Sequence, residues 1–348
     1  LPYRPADPLS VNTPLAQAGV QDRRAAFAVL VERELLASGA NAATDAWLHG
    51  PRPDAGAHAA LVERLDRQFA VRRASTVVLI VPGLFGDCVA DQSVPFGDGK
   101  VRPPDEQPTA AYEQYADLRL RRILMLQLPG RATSARNGER LAAAIREEAA
   151  QPGVERIVLV AYSKGVPDAL HALDAMERSG GVPPQVKALV SVGGAVMGTP
   201  LADRFEGVYD AISPRVAPFG CSAAEGDELA SITRRERLRW MSDHPLPSAL
   251  AYYTILAYAS AEETAPLLHA SYALLSRVDP RNDGQLIAGD SVLPGSTLLA
   301  AARADHWDVA LPRDRHPSAW VHGLASGRHY PREALFRATI RWVVGSLR

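Results

Sequence analysis

The stretch that most restricts how this chain can fold is ERIVLVAYSKGVPDALHAL, residues 155–173. Residues 157–162 form a short apolar run rich in β-branched types, which predicts a strand buried on both faces. Ser163 and Gly165 follow at once, and a helical pattern then begins with Leu170 and Leu173 on one face. Pro167 is compatible with that helix because it falls in the first turn, where a missing N–H leaves little unbonded. A serine on a sharp strand-to-helix turn, flanked by the small residues Ala161 and Gly165, is the nucleophile-elbow arrangement. Small neighbours are needed because the turn is tight and strand and helix approach closely. Such a turn becomes chemically useful only if the chain also supplies a base, an acid and an oxyanion hole.

The order of elements around this stretch predicts an α/β fold. Residues 1–20 are punctuated by prolines and are expected to wrap the surface. Two amphipathic helices follow, one carrying Phe27, Val31 and Leu35, the other Leu61, Leu65 and Phe69, with a turn at 51–56 between them. Strands are expected at 76–81, 123–128, 157–162, 186–192, 250–259 and 297–302. Helices are expected at 110–118, 136–150, 266–277 and 331–347, the last presenting Phe336, Ile340, Val343, Val344 and Leu347 on one face. Strands without apolar–polar alternation, separated by helices, argue for a parallel sheet covered on both sides. The regular alternation breaks after Gly194. Residues 201–248 are therefore expected to form a mostly helical cap inserted into a core of 75–200 and 249–348, with 1–74 as an N-terminal arm and helices packed on it.

At 348 residues with a net charge of −1, the chain can bury a full core and carries no electrostatic footprint for nucleic acid. No apolar stretch reaches the ~18 residues that a membrane span requires. The sequence opens at Leu1 rather than methionine, which fits either removal of an export signal or an artificial start to the chain, and cytoplasmic and exported locations both stand. Its two cysteines, Cys88 and Cys221, are read either as two reduced thiols or as one disulfide joining the loop after the first core strand to the cap. No Cys/His cluster suggests a structural zinc site.

Three further positions carry the chemistry. Pro82-Gly83-Leu84-Phe85-Gly86-Asp87 follows the strand at 76–81, and glycines there let backbone N–H groups point into open space, which suits a developing oxyanion. The long loop at 91–107 is expected near the same site. Of nine histidines, His306 is the one that directly follows the last core strand, on the sheet edge that Ser163 occupies. A serine hydroxyl needs such a base to take its proton, and a carboxylate must hold the base in one tautomer. Asp283, in the turn Asn282-Asp283-Gly284, is the favoured acid; Asp290 is the runner-up, and Asp279, Asp305 and Asp308 are nearby rivals. The order serine, aspartate, histidine is that of the nucleophile-elbow hydrolases.

Over roughly residues 75–310 the chain resembles serine hydrolases of the α/β-hydrolase fold, closest to bacterial lipases and esterases. Val81-Pro82-Gly83-Leu84-Phe85-Gly86 is similar to the family's His-Gly-Leu-x-Gly stretch, with proline in place of histidine. Ala161-Tyr162-Ser163-Lys164-Gly165 is similar to Gly-His-Ser-x-Gly, with Ala161 and Tyr162 as departures. Gly198-Thr199-Pro200-Leu201-Ala202-Asp203 resembles the segment that opens the cap, and Asp305-His306-Trp307-Asp308 the histidine loop. The resemblance implies that Ser163 is the nucleophile, His306 the general base and then acid, and Asp283 its orienting carboxylate. Backbone N–H groups of Leu84 and Lys164 would form the oxyanion hole. The implied substrate is a small-molecule or lipid ester, with contact at a lipid interface for a lipase and apolar cap residues 216–219 against the acyl chain. A thioester or a polyhydroxyalkanoate-type polyester is the alternative bond, and a non-catalytic binding protein of the same fold is a third reading. No cofactor is implied, apart from a calcium that Asp308 would match in some lipases. Lys164 places a cation at a helix N-terminus, where the dipole disfavours it. It is expected either to swing into solvent or onto a nearby carboxylate, or else to attract an anionic group on the substrate.

Overall fold

Strands form where the sequence runs apolar without alternation, because both faces of the sheet they build are covered. The computed structural model describes residues 19–40, 43–84, 95–100, 106–205, 227–323 and 325–347. Among them are seven strands: β1 (Gln21–Asp22), β2 (Thr76–Val81), β3 (Arg122–Met125), β4 (Arg156–Tyr162), β5 (Val186–Val192), β6 (Ala251–Ala257) and β7 (Thr297–Ala302). They pair in the order β1-β7-β6-β5-β4-β2-β3. Every pairing is parallel.

Alternate residues of each central strand enter opposite layers. Val77, Leu79 and Val81 of β2 pack with Leu141 and Ile145 of α4 (Ser134–Ala149) and with Leu170 and Leu173 of α5 (Gly165–Arg178). Val78 and Ile80 face the other way, towards α1 (Arg24–Ala37), α2 (Ala55–Arg72) and the C-terminal helix α9 (Arg332–Ser346). There Phe27, Leu30, Leu65, Phe69, Phe336, Ile340 and Val344 fill one cluster. Further helices among the described residues are α3 (Gln107–Gln114), α6 (Arg234–Asp243), α7 (His269–Leu275) and the single turn α8 (Ala319–His322).

Several expectations shift in detail. Helix α1 is not simply amphipathic: every residue from Ala26 to Val31 is buried, because the helix is enclosed by α2, α9 and β7. The segment just after residue 20 contributes β1, which pairs Gln21 and Asp22 with Thr297 and Leu298; two residues are too few for any periodic signal. The helix expected at 266–277 is a 3-10 turn, Pro266–Leu268, followed by α7. Strand β3 stops at Met125, although Leu126 still donates to Ile80 O at 2.9 Å. Of the expected cap, residues 206–226 lie outside the described residues, and with them 216–219 and Cys221; Cys88, Phe85, Gly86 and most of the loop at 91–107 lie outside them as well. The described remainder of the cap holds the 3-10 turn Ala230–Ile232 and α6. Among the described residues no helix is long and apolar enough to cross a membrane.

The arrangement gathers one edge. Gly83 and Leu84 follow β2, Ser163 follows β4, Gly193 follows β5, and Asp305 and His306 follow β7. In a parallel sheet these carboxyl ends of the strands are where ligand sites form.

Candidate active site

The site is built on a strained turn. Ser163 has φ = 55°, a left-handed conformation that non-glycine residues hold only when their surroundings over-determine it. Three groups of contacts do so. Ser163 N donates to Val192 O at 3.2 Å, and Ser163 O accepts from Val166 N at 3.1 Å and Ala195 N at 3.2 Å. Gly165 packs so closely that a Cβ there would lie 2.5 Å from Pro82 O and 2.6 Å from Val81 O. The same intimacy places Gly83 against the serine, since a Cβ on it would come within 2.9 Å of Ser163 Cβ and 3.4 Å of Oγ. The backbone of Gly83 therefore borders the half-buried Ser163 hydroxyl, with Leu84 next in the chain, and Lys164 follows Ser163 as the N-cap of α5.

His306 and Asp283 converge on that hydroxyl. Ser163 Oγ lies 2.9 Å from His306 Nε2. His306 Nδ1 lies 2.7 Å from Asp283 Oδ2. An ionised carboxylate only accepts, so Nδ1 carries the ring proton and Nε2 is left to accept from the serine. Both His306 and Asp283 are buried. The other oxygen of Asp283 accepts from Gln285 N at 2.8 Å and Leu286 N at 2.6 Å, which fixes the carboxylate in its turn. A backbone bond from His306 N to Asp283 O at 2.8 Å joins the two loops directly. A serine held in this way can pass its proton to the imidazole as it attacks a carbonyl carbon.

The rival acids are engaged elsewhere. Asp290 pairs with Arg234 of α6 at 3.2 Å, and Asp279 pairs with Arg281 at 3.0 Å. Asp305 spends both oxygens on backbone N–H groups: Oδ1 accepts from Trp307 at 3.0 Å and Asp308 at 2.8 Å, and Oδ2 from Ala265 at 2.7 Å. It thereby fixes the loop that carries His306, a role foreshadowed only by the tendency of aspartate to cap the turn that follows it. Burial pushes its carboxyl up. Asp308 takes a hydrogen bond from Ser326 Oγ and is pushed up to about 7, by burial first and by the neighbouring Asp305 second. It is the position that the family resemblance matched to a calcium ligand in some lipases. Calcium takes six to eight oxygens, and among the described residues no three His, Cys, Asp or Glu side chains come together.

The structure gives partners to both neighbours of Ser163. Tyr162, where the family more often has histidine, is buried in the core and donates its hydroxyl to His306 O at 2.6 Å. Its ring lies 5.1 Å from the imidazole, centroid to centroid. Lys164 does not reach towards a substrate anion: it is 1% exposed and its Nζ contacts Asp168 Oδ1 at 2.7 Å and Oδ2 at 3.0 Å. Of the two expectations for this side chain, the nearby carboxylate is the one realised. The spacing of four residues on a helix was the available signal. An apolar cluster of Ala195, Ala202, Ile232 and Leu286, with the half-buried Leu84 and Leu229 against it, flanks this edge of the sheet.

Comparison with solved structures gives full-length similarity. A metagenomic carboxyl esterase shares 32% identity over 98% of this chain and 99% of its own, with a TM-score of 0.76. Lipase 1 from Pelosinus fermentans shares the fold, at 12% identity over 79% of this chain and all of its own, TM-score 0.55. A Bacillus licheniformis lipase in its propeptide form does so at 18% identity over 78% of this chain and 50% of its own, TM-score 0.50. No protein-family model matches the sequence. No curated protein matches it either.

Proposed function

The chain belongs to the esterases and lipases of the α/β-hydrolase fold, and we propose that it hydrolyses carboxylic esters through an acyl-enzyme formed on Ser163. In this reading His306 takes the Ser163 proton as Oγ attacks the ester carbonyl, then returns it to the leaving alcohol. Asp283 holds the imidazole in the productive tautomer and stabilises the imidazolium that forms. The oxyanion is received by the backbone N–H groups of Leu84 and Lys164, donors that need no side chain and no reorganisation during reaction. Water activated by His306 then releases the acid.

The observation that carries the reading is the continuous relay from Ser163 Oγ through both ring nitrogens of His306 to Asp283, at 2.9 and 2.7 Å. A binding protein of this fold has no need of a buried, fully satisfied carboxylate behind an imidazole.

The test is hydrolysis of a series of p-nitrophenyl esters together with labelling by a fluorophosphonate. The expected outcome is turnover, labelling mapped to Ser163, and loss of both in Ser163→Ala and His306→Ala, with kcat down at least about 10³-fold. Undiminished hydrolysis by Ser163→Ala would end the reading.

A further inference from the structure

The ion pair beneath the nucleophile turn has no part in the relay, yet it is fully enclosed. Lys164 and Asp168 are 1% and 2% exposed. Asp168 Oδ2 also accepts from Asn137 Nδ2 at 2.8 Å, and the same nitrogen donates to Pro129 O at 3.0 Å. Arg237 of α6, itself 1% exposed, lies in the field of Asp168 and donates Nε to Val196 O at 3.1 Å. Val196 follows the segment whose Ala195 N holds Ser163 O. One carboxylate thus ties the nucleophile turn to the loop after β3 and the start of α4, and it draws on the cation anchored to the loop after β5.

Stability alone is a poor reason for such a pair. Replacing a buried ion pair by apolar residues of similar volume is often neutral or stabilising, because desolvation offsets the Coulomb gain. The position is unfavourable as well: a lysine at a helix N-terminus opposes the helix dipole, and no side chain caps α5 there. What the pair does supply is a fixed position for the residue after the strained Ser163. A left-handed serine persists only if its flanks are pinned, and Lys164 is pinned one helical turn further along, to Asp168, which is held in turn by Asn137.

We propose that the Lys164–Asp168 pair is a positioning device for the reaction. It fixes the Lys164 peptide, and with it the oxyanion donor and the Ser163 hydroxyl, in the geometry that the transition state requires. The proposal rests on Ser163 being the nucleophile. Displacements of about 1 Å at such a site can cost about 10²-fold in rate. The effect falls on kcat, because the two side chains bond each other and only the Lys164 backbone N–H meets the oxyanion.

The test is the double variant Lys164→Met/Asp168→Asn, which removes both charges and leaves Asn137 an acceptor. The expected result is a melting temperature within about 5 °C of the parent, kcat for p-nitrophenyl butyrate lower by about tenfold or more, KM unchanged within about twofold, and fluorophosphonate labelling of Ser163 slowed in parallel with kcat. Lys164→Arg is the second variant, read on its own if the double variant does not fold. It keeps the charge but not the reach, since a planar fork cannot take the place of an ammonium, and kcat is expected to fall about threefold with KM held. Parental kcat in either folded variant overturns the proposal. Retained hydrolysis in Ser163→Ala would instead overturn the nucleophile assignment on which it rests, so the two failures are separable.

Discussion

At the scale of single residues, the chemistry depends on which atom carries each proton. Asp283 is the only carboxylate bonded to His306 Nδ1 among the described residues, so Asp283→Asn should permit the wrong tautomer and lower kcat by about 10³- to 10⁴-fold with little change in KM. Asp290→Asn should leave kcat within about threefold and lower the melting temperature instead, since Asp290 bonds Arg234 of α6. Steady-state kinetics of the two variants side by side discriminate the two aspartates. Gly165→Ala should be far more harmful than its size suggests. Its Cβ would lie 2.5 Å from Pro82 O, so either the backbone at Pro82 or the turn at Ser163 must move. The readout is loss of soluble protein or of Ser163 labelling. Gly56→Ala, in the first turn of α2 with no atom nearer than 3.5 Å, should raise stability by about 0.5–1 kcal/mol in urea unfolding.

At the scale of elements, helix α6, in the segment expected to form a cap, packs against α5. Trp240 lies 4.6 Å from the ring of His171 on α5 and stacks at 4.5 Å on His244, while Arg237 sits 4.7 Å over its face. Burial, with Arg237 as the next cause, lowers His171 to about 3. A histidine kept neutral in the fold but free to charge when unfolded contributes stability at neutral pH. That contribution is lost as pH falls from 6.5 towards 3, because the unfolded chain then binds the extra proton. The limb has a slope of up to about 1.4 kcal/mol per pH unit. His171→Phe, which keeps the aromatic contact, should flatten stability between pH 6.5 and 4 in denaturant titrations; an unchanged limb would locate acid sensitivity elsewhere.

At the scale of the whole molecule, one buried acidic pair works against the fold at alkaline pH. Asp308 and Asp305 flank His306 in sequence and lie close in space, and Asp308 titrates near 7. An acid whose carboxyl is raised on folding is stabilising while protonated. That contribution is present below about 3.8 and is lost as pH rises through 7, where the folded state must ionise a buried group. The span from 3.8 to 7 corresponds to about 4 kcal/mol at most. Asp308→Asn, a neutral mimic, should therefore raise the melting temperature at pH 8.5 and leave it nearly unchanged at pH 4.5. An equal shift at both values would mean that the carboxyl does not titrate in this window.

Much of this architecture could be read from local pattern. Residues 76–81, 186–192 and 297–302 are strands at the expected bounds, because apolar runs of that length, ended by glycine or polar residues, bury well only as strands of a covered parallel sheet. Ser163 and His306 follow strands and Asp283 stands in a turn, and parallel topology sends such strand ends to one edge, where the three side chains meet. What local order could not decide was partnership across the fold. The turn at 282–284 favoured Asp283 over Asp290 without excluding the latter; the packing of α6 brings Arg234 to Asp290, while Asp283 lies against the imidazole. The fate of Lys164 had the same origin: an ammonium near a helix start goes to solvent, substrate or carboxylate according to what encloses it, and the burial that joined it to Asp168 comes from α4 and α6. Periodicity encodes which face of an element is buried, whereas the partner of a buried charge is set by elements distant in the chain.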